Sequence, residues 1–278
     1  MLHMKSIIGA VIGDVVGSIY EIYEYQTKQI NLNHRLSIFK KDKDIFESDM
    51  SFTDDSVLTC AIADAILHGQ TYESKLREFG LKEENLGLDI YGRSRFGANF
   101  LKWLHGGGND SFGNGCAMRV SPIGYAYDSL EETLKQAEIS CKCTHDNVDA
   151  INMTKAVVGA IFLARNKKDK NQIKEFCLEY ISTLDFNLEK LQKTYLFDAS
   201  AIGSVPQAIY CFLISTDFVD TLKNSISIGG DSDTIACIAC SIAGAYFGVP
   251  NKLALEVQRF IPSEYMNIIN AFDEKYCK

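Results

Sequence analysis

Two acidic segments lie far apart in this chain, and each opens a run of helical character. The first is Phe52-Thr53-Asp54-Asp55-Ser56, followed by the apolar stretch Val57 to Leu67. The second is Gly229-Gly230-Asp231-Ser232-Asp233-Thr234, followed by the small-residue stretch Ile235 to Gly248. Thr53, Asp54, Asp55, Asp231, Asp233 and Thr234 thus offer carboxylates and hydroxyls in two matched clusters. If the two ends meet in space, like charges disfavour joint ionisation. A hard divalent cation with all-oxygen ligands resolves that conflict. The chemistry expected is a Mg²⁺-type centre of one or two ions, with Mn²⁺ as the substitute. The plainer reading is that Asp, Ser and Thr are ordinary helix caps. The pairing of the clusters, and the glycines ahead of the second, favour the metal.

A third segment carries different chemistry. Ser111-Phe112-Gly113-Asn114-Gly115 belongs to a Gly/Asn-rich loop that runs on through Cys116 and Met118 to Arg119. Gly113 and Gly115 permit φ > 0, and successive N–H groups in such a loop form an anion-binding nest. An acidic chain without a basic patch can hold a diphosphate in this way. Arg119 is the alternative, as a bidentate phosphate clamp. His145, within Cys143-Thr144-His145-Asp146-Asn147, sits at a helix start, where a cap or packed side chain is the ordinary role.

The elements that must position these residues are helical. Ser129-Leu130-Glu131-Glu132 reads as a capping box opening a helix toward Cys141. Val148 to Arg165, Asp217 to Ile226 and Asn251 to Phe260 also carry the helical period, and β-type alternation is scarce. Each of the four prolines (Pro122, Pro206, Pro250 and Pro262) falls near an expected helix boundary. Small residues recur every fourth position in Gly9-Gly13-Gly17, in Ala156-Ala160-Ala164 and in Ala236-Cys240-Gly244-Gly248. That spacing puts each set on one helical face and lets backbones approach closely. Glycine inside a helix costs about 1 kcal/mol against alanine, so such helices belong at the centre of a bundle. Glu21 continues the glycine stripe, either as a solvated helix end or as a functional carboxylate. With no linker tract, one all-α domain over residues 1–278 is expected.

Composition narrows the function. The chain has 278 residues, 46% of them hydrophobic and 23% charged, as in a soluble globular protein. A net charge of −8 and no Lys/Arg block beyond residues 167–170 argue against nucleic-acid binding. The apolar run Ile7 to Tyr20 is interrupted by Asp14 and is too short to span a bilayer, so it reads as the first core helix. Nine cysteines, including Cys237-x-x-Cys240 inside a helical pattern, read as buried thiols of a cytoplasmic protein.

Five segments in order resemble the ADP-ribosylglycohydrolase family: Gly9 to Glu21, Phe52 to Ser56, Ser111 to Arg119, Thr144-His145, and Gly229 to Thr234. The resemblance spans nearly the whole chain. It implies an orthogonal all-α helical bundle with a binuclear Mg²⁺ site. Thr53, Asp54 and Asp55 match the family's first ligand motif, and Asp231, Asp233 and Thr234 its second. Glu21 falls where some members carry a mobile catalytic or metal-bridging glutamate. Ser111, Phe112, Gly113, Asn114, Gly115 and Met118 match the loop that cradles diphosphate and ribose, and His145 a histidine near the substrate. Cys116 replaces a commoner Gly, Ser or Ala.

The activity so implied is Mg²⁺-dependent cleavage of the C1″ glycosidic bond of an ADP-ribosyl group, by a monomer acting on a modified protein side chain. Glu21, Asp55 and Asp233 are the catalytic candidates for activating water or assisting the leaving group. The alternatives are hydrolysis of a free derivative such as O-acetyl-ADP-ribose, and a catalytically idle ADP-ribose binder.

Overall fold

The helical period of the sequence is realised along the chain. The computed structural model describes residues 3, 4, 6–27, 31–40, 44–89, 92 and 94–277, with backbone alone at 3, 4 and 22–27. The first half contains α1 (Ile8–Thr27), α2 (Leu32–Arg35), α3 (Asp54–His68), α4 (Tyr72–Asn85), α5 (Ala98–Leu104), α6 (Gly115–Met118), α7 (Ser121–Ala126) and α8 (Leu130–Lys142). The second half contains α9 (Val148–Arg165), α10 (Lys170–Cys177), α11 (Leu188–Thr194), α12 (Ala201–Ile214), α13 (Phe218–Ile228), α14 (Ser232–Phe247), α15 (Asn251–Glu256) and α16 (Ser263–Tyr276). The strands β1 (His3–Met4) and β2 (Val249–Pro250) make one short antiparallel pair. The architecture is an all-α helical bundle. Among the described residues no helix is long and apolar enough to cross a membrane.

Local chemistry sets most boundaries. Asn147 and Asp217 cap α9 and α13 through their side chains. Ser129 accepts the Glu132 N–H at 3.2 Å and starts α8. The expected capping box is only half formed, because the Glu132 carboxylate accepts from Gln136 Nε2 at 2.7 Å instead. A reciprocal box forms at Asp169 and Gln172, ahead of α10. Pro122, Pro250 and Pro262 sit at helix starts, but Pro206 lies inside α12. The carbonyl that loses its donor there belongs to Ile202, a residue 56% exposed, so water can replace the missing bond.

The centre of the bundle is the pair α1 and α14. Every residue of α14 from Ser232 to Ala245 is buried. A Cβ on Gly9 would meet Cys240 O, one on Gly13 would meet Ala236, and one on Gly17 would meet Asp233. The order reverses along the two helices, so they run antiparallel with backbones in direct contact. The two small-residue stripes of the sequence are therefore the two sides of one interface. Further helices wall this pair: α9, α12 and α13 pack on α14, while α3 packs on α1 and is covered by α4 and α16. All nine cysteines are free thiols, and Cys237 and Cys240 are buried within α14.

Candidate metal and substrate site

Antiparallel packing decides where α1 delivers its carboxylates. Gly17 lies against the first turn of α14, so Glu21, one turn further on, reaches beyond the α14 N-terminus. Glu21, Asp231 and Asp233 there bring carboxylate oxygens within 4.8 Å of one another. Asp14, Asp55 and Asp233 do the same, with Asp233 common to both groups. The first turns of α3 and α14 thus meet over α1. Both helices aim the positive end of their dipoles at the cluster. Gly229 and Gly230, at φ 69° and 74°, make the reversal from α13 into α14. Neither has room for a side chain: a Cβ on Gly229 would meet the Arg35 guanidinium, and one on Gly230 the Tyr195 ring.

The capping pattern separates this site from the rest of the fold. Asn31, Thr71, Ser129, Asn147, Asp169, Asn187, Ser200 and Asp217 each cap their own helix with their side chain. Thr53, Asn114 and Asp231 stand at N-cap positions and do not. The Thr53 hydroxyl donates to Asp14 Oδ1. Asp14 replaces it as the cap of α3, accepting the Thr53 N–H at 3.1 Å and the Ser56 N–H at 3.2 Å. Asn114 donates Nδ2 to Asp231 Oδ2 at 2.6 Å and to Ser204 Oγ at 3.1 Å. Thr234 donates its hydroxyl to Asp55 Oδ2 at 3.2 Å. Asp55 Oδ1 is buried with no hydrogen-bond partner.

An orphaned carboxylate oxygen in a crowd of carboxylates is costly. Burial, and then the charges of Asp233, Asp14, Asp54 and Asp231, hold Asp55 well above the usual carboxylate range. Burial and then Asp231 do the same to Asp233. Asp231 is pushed up to about 7 by burial and the charge of Glu21. Burial raises Asp14 to about 6 against four hydrogen bonds that lower it. Glu21, Thr53, Asp54, Asp55, Asp231, Asp233 and Thr234 all line one cavity of about 860 Å³. Asp54 belongs to neither close group of carboxylates.

The other wall of this cavity is the glycine loop. Ser111, Phe112, Gly113, Asn114, Gly115, Met118 and His145 all line it. Neither Gly113 nor Gly115 has φ > 0, contrary to the nest expected for them. Gly113 instead forms an antiparallel bridge with Ser200, and Gly115 opens α6. The loop is pinned to the start of α12 by Asn114 N–H donating to Ala199 O at 2.9 Å and Ala201 N–H donating to Phe112 O at 3.0 Å. Phe112 is 63% exposed at the rim, whereas Met118 is buried with its sulfur 3.8 Å from the Thr234 hydroxyl oxygen. Arg119 is fully buried and donates Nη2 to Ser140 O at 3.1 Å and Thr144 Oγ1 at 2.8 Å. These bonds tie Nη2 to Ser140 and Thr144, while Arg119 itself also lines the cavity.

A family model for ADP-ribosylglycohydrolases matches residues 4–272. The chain belongs to the ADP-ribosylglycohydrolase family. It is accordingly a hydrolase. ADP-ribosylhydrolase ARH3 of Mus musculus is 25% identical, with the match covering 96% of this chain and 86% of the relative. ARH3 of Homo sapiens is 26% identical over 87% and 84%. ADP-ribosylarginine hydrolase Tri1 of Pseudomonas putida is 22% identical over 88% and 70%. A solved structure titled ADP-ribosylglycohydrolase-related protein complex shares the fold, with a TM-score of 0.68 at 18% identity over 98% of this chain and 96% of that one.

Sequence reasoning left out one member of the carboxylate cluster. Asp14 is fully buried at its centre. Its signal was present in the sequence: Asp14 stands seven residues before Glu21, two helical turns along the same face, in an otherwise apolar run. Further residues of the cavity wall also went unread. Glu83 is buried there, accepts the Tyr265 hydroxyl and pairs with Arg95 at 3.4 Å, and Asp89 lines the same wall.

Proposed function

We propose that this ADP-ribosylglycohydrolase cleaves the C1″ glycosidic bond of ADP-ribosyl groups in a divalent-cation-dependent reaction, releasing ADP-ribose from a modified acceptor. The observation that carries this reading is the set of polar residues at Thr53, Asn114 and Asp231 that abandon helix capping to serve one buried carboxylate cluster. The cluster fits hard cations, because its donors are all oxygen and Asp55 Oδ1 is buried without a partner. Asp14, Asp55 and Asp233 would hold one ion, and Glu21, Asp231 and Asp233 a second, with Thr53, Asp54 and Thr234 at the edge of both. Mg²⁺ suits such donors, and Mn²⁺ is the natural replacement. Bound there, the ions would offset the clustered negative charge and orient the hydroxyls of the distal ribose.

The residues of the chain divide the remaining work. The Ser111–Gly115 loop lines the same cavity as the carboxylate cluster, so a diphosphate seated on the loop would place its ribose toward Asp55 and Asp233. Asn114 ties the two sides together through Asp231. Asp55 and Asp233 are buried and committed to Thr234, through its hydroxyl and its N–H. Glu21 is only half-buried on the cavity wall. It is therefore the carboxylate assigned to activate water as acceptor departure builds oxocarbenium character. The acceptor then leaves on the side of Glu83, Asp89 and Arg95. The test is release of ADP-ribose from arginine-linked, serine-linked and acetyl-linked substrates, with Mg²⁺ and with excess chelator. Full activity in chelator on every substrate would refute the cation dependence. Tight ADP-ribose binding with no turnover of any substrate would refute the hydrolytic reading.

A further inference from the structure

Arg119, Thr144 and His145 form a buried line of hydrogen bonds that ends at the cavity. Arg119 Nη2 donates to Thr144 Oγ1 at 2.8 Å, and Thr144 Oγ1 lies 2.6 Å from His145 Nδ1. A hydroxyl has one proton to give and two lone pairs to receive with. The arginine occupies one lone pair. Among the described residues the Thr144 hydroxyl has no acceptor other than His145 Nδ1, and Thr144 is 2% exposed, so water cannot supply one. If Nδ1 carried a proton, it would take the second lone pair, and the hydroxyl's own proton would be left without an acceptor in a dry site. Nδ1 is therefore the acceptor. The ring proton then sits on Nε2, the nitrogen that lies 3.7 Å from where a Gly113 Cβ would stand and 3.9 Å from where a Gly115 Cβ would stand. That nitrogen reaches the cavity beside the loop.

Two further facts make the arrangement directional. Among the described residues no carboxylate neutralises Arg119, whose Nε and Nη1 take no hydrogen-bond partner. A buried, unneutralised cation is costly unless something gains from its field. It also opposes a second proton on the ring: burial and then the Arg119 charge push His145 down to about 3. The ring is also held from behind, because the Cys141 thiol donates to the His145 carbonyl at 3.3 Å and His145 bridges Asp110 through its backbone.

We propose that Arg119 and Thr144 are positioning residues that hold the His145 proton on Nε2, so that the ring presents a fixed donor to an anionic oxygen of the bound ligand. The acidic protein thereby applies a positive charge to a diphosphate without exposing one. The ligand identity rests on the ADP-ribosyl reading above, but the protonation pattern does not.

The experiment is nitrogen NMR of ¹⁵N-histidine-labelled full-length protein, paired with calorimetry of ADP-ribose binding in Mg²⁺. Wild type should show one neutral His145 tautomer protonated at Nε2, and Thr144→Ser should keep it. Thr144→Val should leave the ring divided between tautomers. ADP-ribose binding should then weaken about 3- to 10-fold, as a donor present only part of the time predicts. His145→Gln, which can place an amide N–H near the Nε2 position, should bind far better than His145→Asn. The Asn variant should lose about 10- to 100-fold, the worth of one hydrogen bond to a charged group. A wild-type ring protonated on Nδ1 overturns the proposal. So does a Thr144→Val protein that keeps both the Nε2 tautomer and full affinity. Correct tautomers with no ADP-ribose binding in wild type would refute the assigned ligand and leave the positioning intact.

Discussion

The contact between α1 and α14 gives a sharp test, because one methyl group should disturb the fold and the site by different amounts. In Gly17→Ala the new Cβ would overlap the Asp233 Cα, standing 2.5 Å from Asp233 N and 2.6 Å from Ser232 O. Carbon atoms in ordinary contact stand about 3.5–4.0 Å apart, so the helices must separate by roughly 1 Å. All three clashing atoms are backbone, so no side-chain rotation relieves them. Overpacking of this kind costs about 1–3 kcal/mol. Replacing a helical glycine by alanine returns about 1 kcal/mol of propensity. The net loss in chelator should therefore be at most about 2 kcal/mol, read from urea denaturation. The site should suffer more, because the shift carries Asp233 away from Asp14 and Asp55 and from Glu21. A misplacement of about 1 Å in a preorganised site costs roughly 100-fold. Calorimetric Mg²⁺ or Mn²⁺ affinity should fall by that order. Gly9→Ala is the control, since its Cβ would stand 2.8 Å from Cys240 O, two turns from the carboxylates. It should keep cation affinity whatever it does to stability. A Gly17→Ala protein with wild-type stability and wild-type cation affinity would refute the packing argument. Equal damage to cation binding in Gly9→Ala would show that the effect is global.

Other consequences are open to measurement. Asp233→Asn should stabilise the cation-free protein, since burial and Asp231 already disfavour the Asp233 charge. It should also abolish the stabilisation by added Mg²⁺, which in wild type is about 2.7 kcal/mol at 100 times the dissociation constant and raises the melting temperature; thermal scans of both proteins with Mg²⁺ and with chelator decide this. Glu21→Gln should lower kcat with little change in ADP-ribose affinity, as expected of a group that acts in the transition state; an unchanged kcat would leave Glu21 as a helix-end residue. His145, held neutral down to about pH 3 in the folded protein, should make stability fall as pH drops below about 6.5, where the unfolded chain takes up its proton. From pH 6.5 to pH 5 that amounts to about 2 kcal/mol, and His145→Gln should lack this part of the acid loss in denaturation curves.

Much of the scaffold was legible because local rules set it. The four-residue spacing of Gly9, Gly13 and Gly17 matched that of Ala236 and Cys240, and those stripes are the two halves of one contact. The runs Val148 to Arg165 and Asp217 to Ile226 were legible from their helical period, and in the structure Asn147 and Asp217 cap these helices with no partner from elsewhere. Features that depend on a distant neighbour were harder to read. Gly113 and Gly115 looked like left-handed turn positions, but pairing with Ser200 and the start of α6 override that preference. Nor does the sequence reveal that Arg119, the alternative phosphate ligand, is fully buried with its Nη2 held by Ser140 and Thr144.

Asp14 is the residue where local and tertiary evidence part most clearly. Read along the chain, it is a charge that spoils an apolar helix. In the fold it accepts bonds from the backbone and hydroxyls of Thr53 and Ser56, and so caps a helix begun some forty positions later. Because Asp14 serves as the cap, Thr53 need not turn back on its own helix. Asn114 likewise bonds Asp231 instead of capping α6. A helix end that is satisfied from outside frees its own polar residues for other work. In this chain the N-caps released in this way lie at the carboxylate cluster, whereas every other Ser, Thr, Asn or Asp N-cap among the described residues closes its own helix. Misused caps therefore point to the site independently of motif or family, and they would do so in a relative whose acidic motifs had drifted.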